Sequence, residues 1–181
     1  AGSVAAMSDL AVMLEKGEGG PADLPRAVAL FDQAAAAGNV PAMRNVAIGY
    51  ENGVGRPADA AQAAQWYRKA ADTGDPQAMG FLAVLYLQGT GVPKDLDRAV
   101  RLLQAASLAD NVDAEVEYAI AMFNGTGTPK NQPAAVALLR KASRQGSAIA
   151  QNRLAWVLIN GMGTPVDKIE GFKWHLVAKT S

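Results

Sequence analysis

The chain has 181 residues, half of them hydrophobic, and its 17 basic and 17 acidic side chains give a formal net charge of zero. That balance argues against binding nucleic acid through a basic excess, and no apolar run approaches the ~20 residues of a membrane-spanning helix. Cysteine is absent, which excludes disulfides, thiolate metal sites and cysteine nucleophiles.

Alanine supplies much of the hydrophobic share and favours close-packed helices, because it gives up no side-chain entropy in a helix. Val, Ile and Thr form no alternating runs, so strands have little support. The first feature in chain order is a glycine pair, Gly17/Gly19, followed by Pro21 and Asp23. The group returns as Gly53/Gly55, Gly89/Gly91, Gly125/Gly127 and Gly161/Gly163, each 36 residues after the last. Pro57, Pro93, Pro129 and Pro165 follow at the same offset, then Asp59, Asp95, Asn131 and Asp167. Three alanine columns keep the same period: Ala6 to Ala150, Ala11 to Ala155 and Ala34 to Ala178. Self-similarity of this kind marks a repeat protein. The units run 4–39, 40–75, 76–111, 112–147 and 148–181.

Within a unit, Asn39, Asp75, Asn111 or Ser147 is placed to cap the first helix through its side-chain oxygen. Pro41 and Pro76 suit a first turn, where no N–H donor is needed. The first helix of the third unit carries Ala78, Met79, Leu82, Ala83 and Tyr86 at three- and four-residue spacing, the stripe of a core-facing helix. The first glycine of each pair ends that helix in the left-handed region, where a side chain costs ~1–2 kcal/mol. Asp95 and its equivalents cap the second helix, whose buried stripe in the third unit is Ala99, Leu102, Leu103 and Ala106. A two-helix unit cannot bury both stripes alone, so units must stack. The expected fold is all-α: an α-solenoid, a right-handed superhelix of five helix-turn-helix repeats.

The pattern A-x-x-x-L-A-x-x-Y-x-x-G-x-G-V-x-x-D, then A-x-x-W-Y-x-K-A-A-x-x-G, resembles the Sel1-like repeat family, relatives of the tetratricopeptide repeat. The second unit matches it through Ala42, Val46, Ala47, Tyr50, Gly53, Gly55, Asp59, Ala63, Trp66, Tyr67, Lys69, Ala70, Ala71 and Gly74. Met122 in place of tyrosine, Asp110 in place of the unit-ending glycine and Gly171 in place of alanine are departures expected to loosen packing locally. The resemblance implies a non-enzymatic adaptor that binds a protein or peptide along the concave face lined by the first helices. It also implies a bacterial source and a periplasmic or secreted location. An alternative in the same frame is a regulatory module of a larger envelope or signalling protein that restrains a receptor or secretion component.

No catalytic, metal or cofactor site emerges. "QGTGVPKD" (residues 88–95) has a glycine pair and a lysine, but neither the strand of a dinucleotide fingerprint nor the GxxxxGK[ST] of a P-loop. His175 is the sole histidine and shares a column with Phe31, Tyr67, Leu103 and Leu139, which reads as a packing position rather than a catalyst. Glu15 and Glu51 share a column in adjacent units, about 10 Å apart for packed helices. That brushes the range of an inverting glycosidase, but nothing else supports a glycan-acting enzyme, and two solvated charges are the better account.

Numbering positions within the unit, columns three, four, seven, eight and eleven of the first helix are assigned to the core. Columns two, five, nine, twelve and thirteen are left to face the groove. Column nine reads Val12, Ile48, Val84, Ile120, Trp156; column twelve reads Glu15, Glu51, Leu87, Phe123, Ile159; column five reads Ser8, Arg44, Gly80, Val116, Asn152. The early units are polar there (Arg44, Glu51), whereas Val84, Leu87, Val116, Ile120, Phe123, Trp156 and Ile159 make the later ones apolar. Two readings stand: a docking surface for an apolar peptide, a partner helix or a second copy, or residues packing against neighbouring units. At the C-terminal end, Phe172, Trp174 and Val177 on the last helix suggest a missing cap or a contact between copies. Ala1-Gly2-Ser3 aligns with Gln145-Gly146-Ser147 at a unit end. Either the array extends upstream, making this chain a piece of a longer one, or an introduced tag happens to match.

Overall fold

The computed structural model describes residues 3–180. Ala1 and Gly2 of the unit-end match, and Ser181 at the close of the fifth unit, lie outside the described residues. Among the described residues there are ten helices and no strand, and the chain divides into two compact units, Ala1–Lys94 and Asp95–Ser181. The first holds α1 (Val4–Lys16), α2 (Leu24–Ala36), α3 (Val40–Asn52), α4 (Ala60–Ala71) and α5 (Pro76–Gln88). The second holds α6 (Leu96–Leu108), α7 (Val112–Asn124), α8 (Gln132–Arg144), α9 (Ala148–Asn160) and α10 (Lys168–Thr180). Inside the first unit, α1 through α5 pack each on the next. The same holds for α6 through α10 in the second.

Local chemistry starts and stops each helix. Asn39, Asp75 and Asn111 each accept the N–H three residues on at 2.8 Å, and Ser147 does so at 3.3 Å. Asp23, Asp59, Asp95, Asn131 and Asp167 cap the second helices in the same way, at 2.8–3.1 Å. Each such cap is worth about 1 kcal/mol. The first glycine of each pair sits at φ between 66° and 78° and closes its helix with a left-handed residue.

The second glycine of the pair answers a different need. At Gly91 (φ 69°) a Cβ would strike the carbonyl oxygen of Ala60, at the start of α4. At Gly127 it would stand 2.6 Å from the Leu96 carbonyl oxygen, and at Gly163 2.6 Å from the Gln132 Cβ. The inter-helix loops of the third, fourth and fifth repeats therefore rest, backbone close to backbone, on the first turn of the preceding repeat's second helix, whereas at Gly55 the close neighbour is the Val28 side chain at 2.6 Å. Gly19, in the first repeat, has nothing within 4 Å.

The alanine columns form the floor of this packing. Ala42, Ala47, Ala78, Ala83, Ala119 and Ala150 are fully buried, as are Ala34, Ala70, Ala106 and Ala142. Phe31, Tyr67, Leu103 and Leu139 are buried in the column that His175 shares, yet His175 is exposed. The expected packing histidine is thus a surface residue: in the earlier repeats the next repeat's first helix covers this face, and no described helix covers it on α10. Gly171 does not loosen its surroundings either. It is buried, and a Cβ there would meet the Ile159 Cγ1 at 2.7 Å and the Ala155 carbonyl at 3.0 Å. Asp110 adopts the left-handed geometry itself (φ 58°).

One buried charge interrupts the second unit. Glu115 is 0% exposed and pairs with Lys141 Nζ at 2.7 Å. Hydrogen bonds to Glu115 and then to Asp110 hold the Lys141 ammonium above its ordinary range.

Two predictions follow from this packing. Gly91→Ala is expected to destabilise by more than about 3 kcal/mol, because the backbone of α4 must move, whereas Gly19→Ala bears only the ~1–2 kcal/mol of left-handed strain. Urea titration of the two variants checks the contrast. Lys141→Ala leaves a buried carboxylate without its cation and is expected to lower the melting midpoint. Glu115→Met installs the residue type of Met7, Met43 and Met79 in the same column and is expected to be neutral or stabilising by about 1–4 kcal/mol. In the double variant it should cancel the Lys141 loss in a circular-dichroism melt.

Candidate functional site

The second unit carries an apolar hollow between the first helices of two successive repeats. Ile120, Phe123 and Asn124 of α7 form one wall, and Arg153, Trp156 and Val157 of α9 the other. Leu139 of α8 lies at the base, and the hollow encloses about 420 Å³ including its open mouth. Phe123 and Trp156 meet edge to face, with ring centroids 6.2 Å apart and planes at 63°, a favoured aromatic geometry. Trp156 nevertheless remains 48% exposed. A shallower continuation along α9 is lined by Ile149, Asn152, Arg153 and Trp156.

Helix geometry explains which expected groove residues reach this face. At 3.6 residues per turn, column nine centres the open face, while columns five and twelve fall about 40° and 60° to one side, toward the second helix of the same repeat. Val116 (column five) is accordingly 3% exposed and lies in the core cluster with Leu139 and Leu154, so it presents no docking surface. Ile159 (column twelve) lies against α10 at Gly171. Ile120 and Phe123 pack their inner edges on the same core cluster and turn their outer edges to the hollow. Trp156 alone of the nine expected residues is both large and widely open.

Of the four expected residues of the first unit, Arg44 and Glu51 are tied into its own structure. Arg44 pairs with Asp75 at 3.3 Å, and Val84 and Leu87 are half-buried on α5. Tyr67 donates its hydroxyl proton to the Glu51 carboxylate at 2.7 Å. That bond commits Glu51 to α4 and leaves no free carboxylate pair with Glu15. Of the three residues named on the last helix, Phe172 is 57% and Val177 42% exposed, while Trp174 packs on the core cluster and donates its indole N–H to Glu170.

Two assignments were missed from sequence. Column ten is core in the last three repeats, where Leu85, Ala121 and Val157 are buried, whereas Met13 in the first is 43% exposed. Arg153, in column six, lines both hollows, and its three-residue spacing from Trp156 was the available signal. Among the described residues, no group of three or more His, Asp or Glu is placed to hold a metal ion, and no helix is long and apolar enough to cross a membrane.

Paired antiparallel helices stacked by a fixed 36-residue period define an all-α repeat solenoid. A family model described as the Sel1 repeat matches residues 4–39, 40–75, 76–111, 112–147 and 148–179, and the chain belongs to that family. Among solved structures it is similar to a protective antigen present in uropathogenic Escherichia coli strains, which displays the same repeat fold. The identity is 31% and the TM-score 0.93, over 99% of this chain and 38% of the antigen, so the chain spans well under half that protein's length. A Sel1 repeat protein from Oxalobacter formigenes matches at 25% identity and TM-score 0.90, over 98% of this chain and 73% of the other. A Sel1 repeat protein from Klebsiella pneumoniae, at 21% identity and TM-score 0.62 over 98% of this chain and 86% of the other, shares the fold. No curated protein matches the chain. Sel1 repeat proteins are generally protein-interaction scaffolds without catalytic activity.

The Tyr67–Glu51 bond yields a pH prediction. Burial, reinforced by the Glu51 hydrogen bond, raises the Tyr67 phenol well above its ordinary value of 10.0. Below that value folded and unfolded chains both hold the proton. Above it the unfolded chain releases the proton while the folded chain keeps it, so stability falls as pH rises. The loss should approach ~1.4 kcal/mol per pH unit above about pH 10. Urea midpoints between pH 9 and 11 should show a shallower alkaline decline in Tyr67→Phe.

Proposed function

We propose that the hollow between α7 and α9 is a docking site for a protein or peptide partner, and that the chain acts as a binding scaffold rather than an enzyme. One observation carries this reading: Trp156 stands 48% exposed in edge-to-face contact with Phe123, over a hollow already floored by the core. An exposed tryptophan in a preformed apolar recess is the usual form of an interface anchor, because burying it releases much water-exposed area at small entropic cost. Membership of a family of interaction scaffolds supports the same reading.

A second reading, association between copies, is supported by the outer stripe of α10, where Ile169, Phe172 and Leu176 are 73%, 57% and 64% exposed. Light scattering against concentration distinguishes it from docking at Trp156.

Peptides selected by the intact chain from a random display library should lose at least ~10-fold in affinity on Trp156→Ser, the scale of an interface anchor. The helical circular-dichroism spectrum should stay unchanged. Selected peptides indifferent to that substitution would place docking elsewhere.

A further inference from the structure

Resting on the docking reading above, we propose that the partner segment presents a carboxylate between two apolar side chains, and that Arg153 selects that carboxylate. Arg153 is shared by the two recesses of the site. It borders the deeper one with Ile120, Phe123 and Trp156, and the shallower one with Ile149 and Trp156. A segment that fills both with apolar side chains must pass the guanidinium between them.

Arg153 is the arginine that lines both recesses, and unlike the arginines tied into the fold it is not engaged; Arg26, Arg101 and Arg144 are likewise exposed but line neither recess. Arg44 pairs with Asp75, Arg56 with Asp32 at 3.0 Å, Arg140 with Glu170, and Arg68 donates to the Tyr86 hydroxyl at 2.8 Å. Arg153 is exposed and has no ion-pair or hydrogen-bond partner among the described residues. Glu117, the acidic residue in the same column on α7, lines neither recess. The cation therefore stands unneutralised on an apolar rim. An approaching carboxylate gains two parallel N–H···O bonds from the planar guanidinium, and the apolar walls weaken solvent screening of that contact. A basic partner at this point would be repelled, and a neutral one would leave the guanidinium partly desolvated without an acceptor. One arginine matches the single charge of a carboxylate, whereas a dianionic phosphate calls for a cluster of cations.

Random-peptide display on the intact wild-type chain provides the test, followed by titration of a synthetic enriched peptide. Wild type should enrich apolar–acidic–apolar sequences. Replacing the peptide's Asp or Glu by the amide should weaken binding ~5–10-fold, Arg153→Ala should weaken it by the same factor, and the two changes together should add little more. Selection on Arg153→Glu should shift the central residue from acidic to basic. If binders depend on Trp156 but carry no acidic residue, or bind Arg153→Ala as well as wild type, the carboxylate inference is overturned and the docking site stands. Binders indifferent to both Trp156→Ser and Arg153→Ala overturn both.

Discussion

The loops of the third, fourth and fifth repeats rest so closely on the start of the preceding second helix that no side chain fits between them. At Gly91 the obstacle is the Ala60 carbonyl, and at Gly127 the Leu96 carbonyl. Backbone contact of this kind fixes the spacing between repeats more firmly than side-chain packing, because a main chain cannot change rotamer to make room. The alanine columns follow from it: once the loops set the separation, the facing helices must carry small residues. In the later repeats the placement of the first helix, and so of the residues it presents, then depends on a few ångströms at one glycine.

Within that frame the open face of a first helix is narrower than its polar and apolar alternation suggests. Columns five and twelve lean toward the second helix of their own repeat, where they become core, as Val116 does, or are tied there, as Glu51 is by Tyr67. What stays open is the strip centred on column nine, flanked by column six. In the second unit that strip joins an aromatic pair to an exposed guanidinium, the combination on which the docking proposal rests.

Much of the architecture was legible because it is written locally. An Asn or Asp three residues before an N–H that needs an acceptor, and a glycine where φ must be positive, can be read without knowing what packs where. The site was legible only in part. Phe123, Ile120 and Trp156 were recognisable as apolar residues on a face expected to be polar. Val116 was misplaced because its fate depends on where α8 passes. Arg153 was overlooked because a charge on a helix flank looks the same in sequence whether or not it finds a partner. His175 and Gly171 were misjudged for different reasons: the His175 column has no following helix described to cover it, and Gly171 leaves room that Ile159 fills.

The helices are 12 or 13 residues long, about the length at which an isolated helix is marginal in water. None holds itself; within each unit the helices are held by the neighbours they pack on. Tension along the chain would therefore be borne by single contacts in series, and a pulled molecule would give way in small steps.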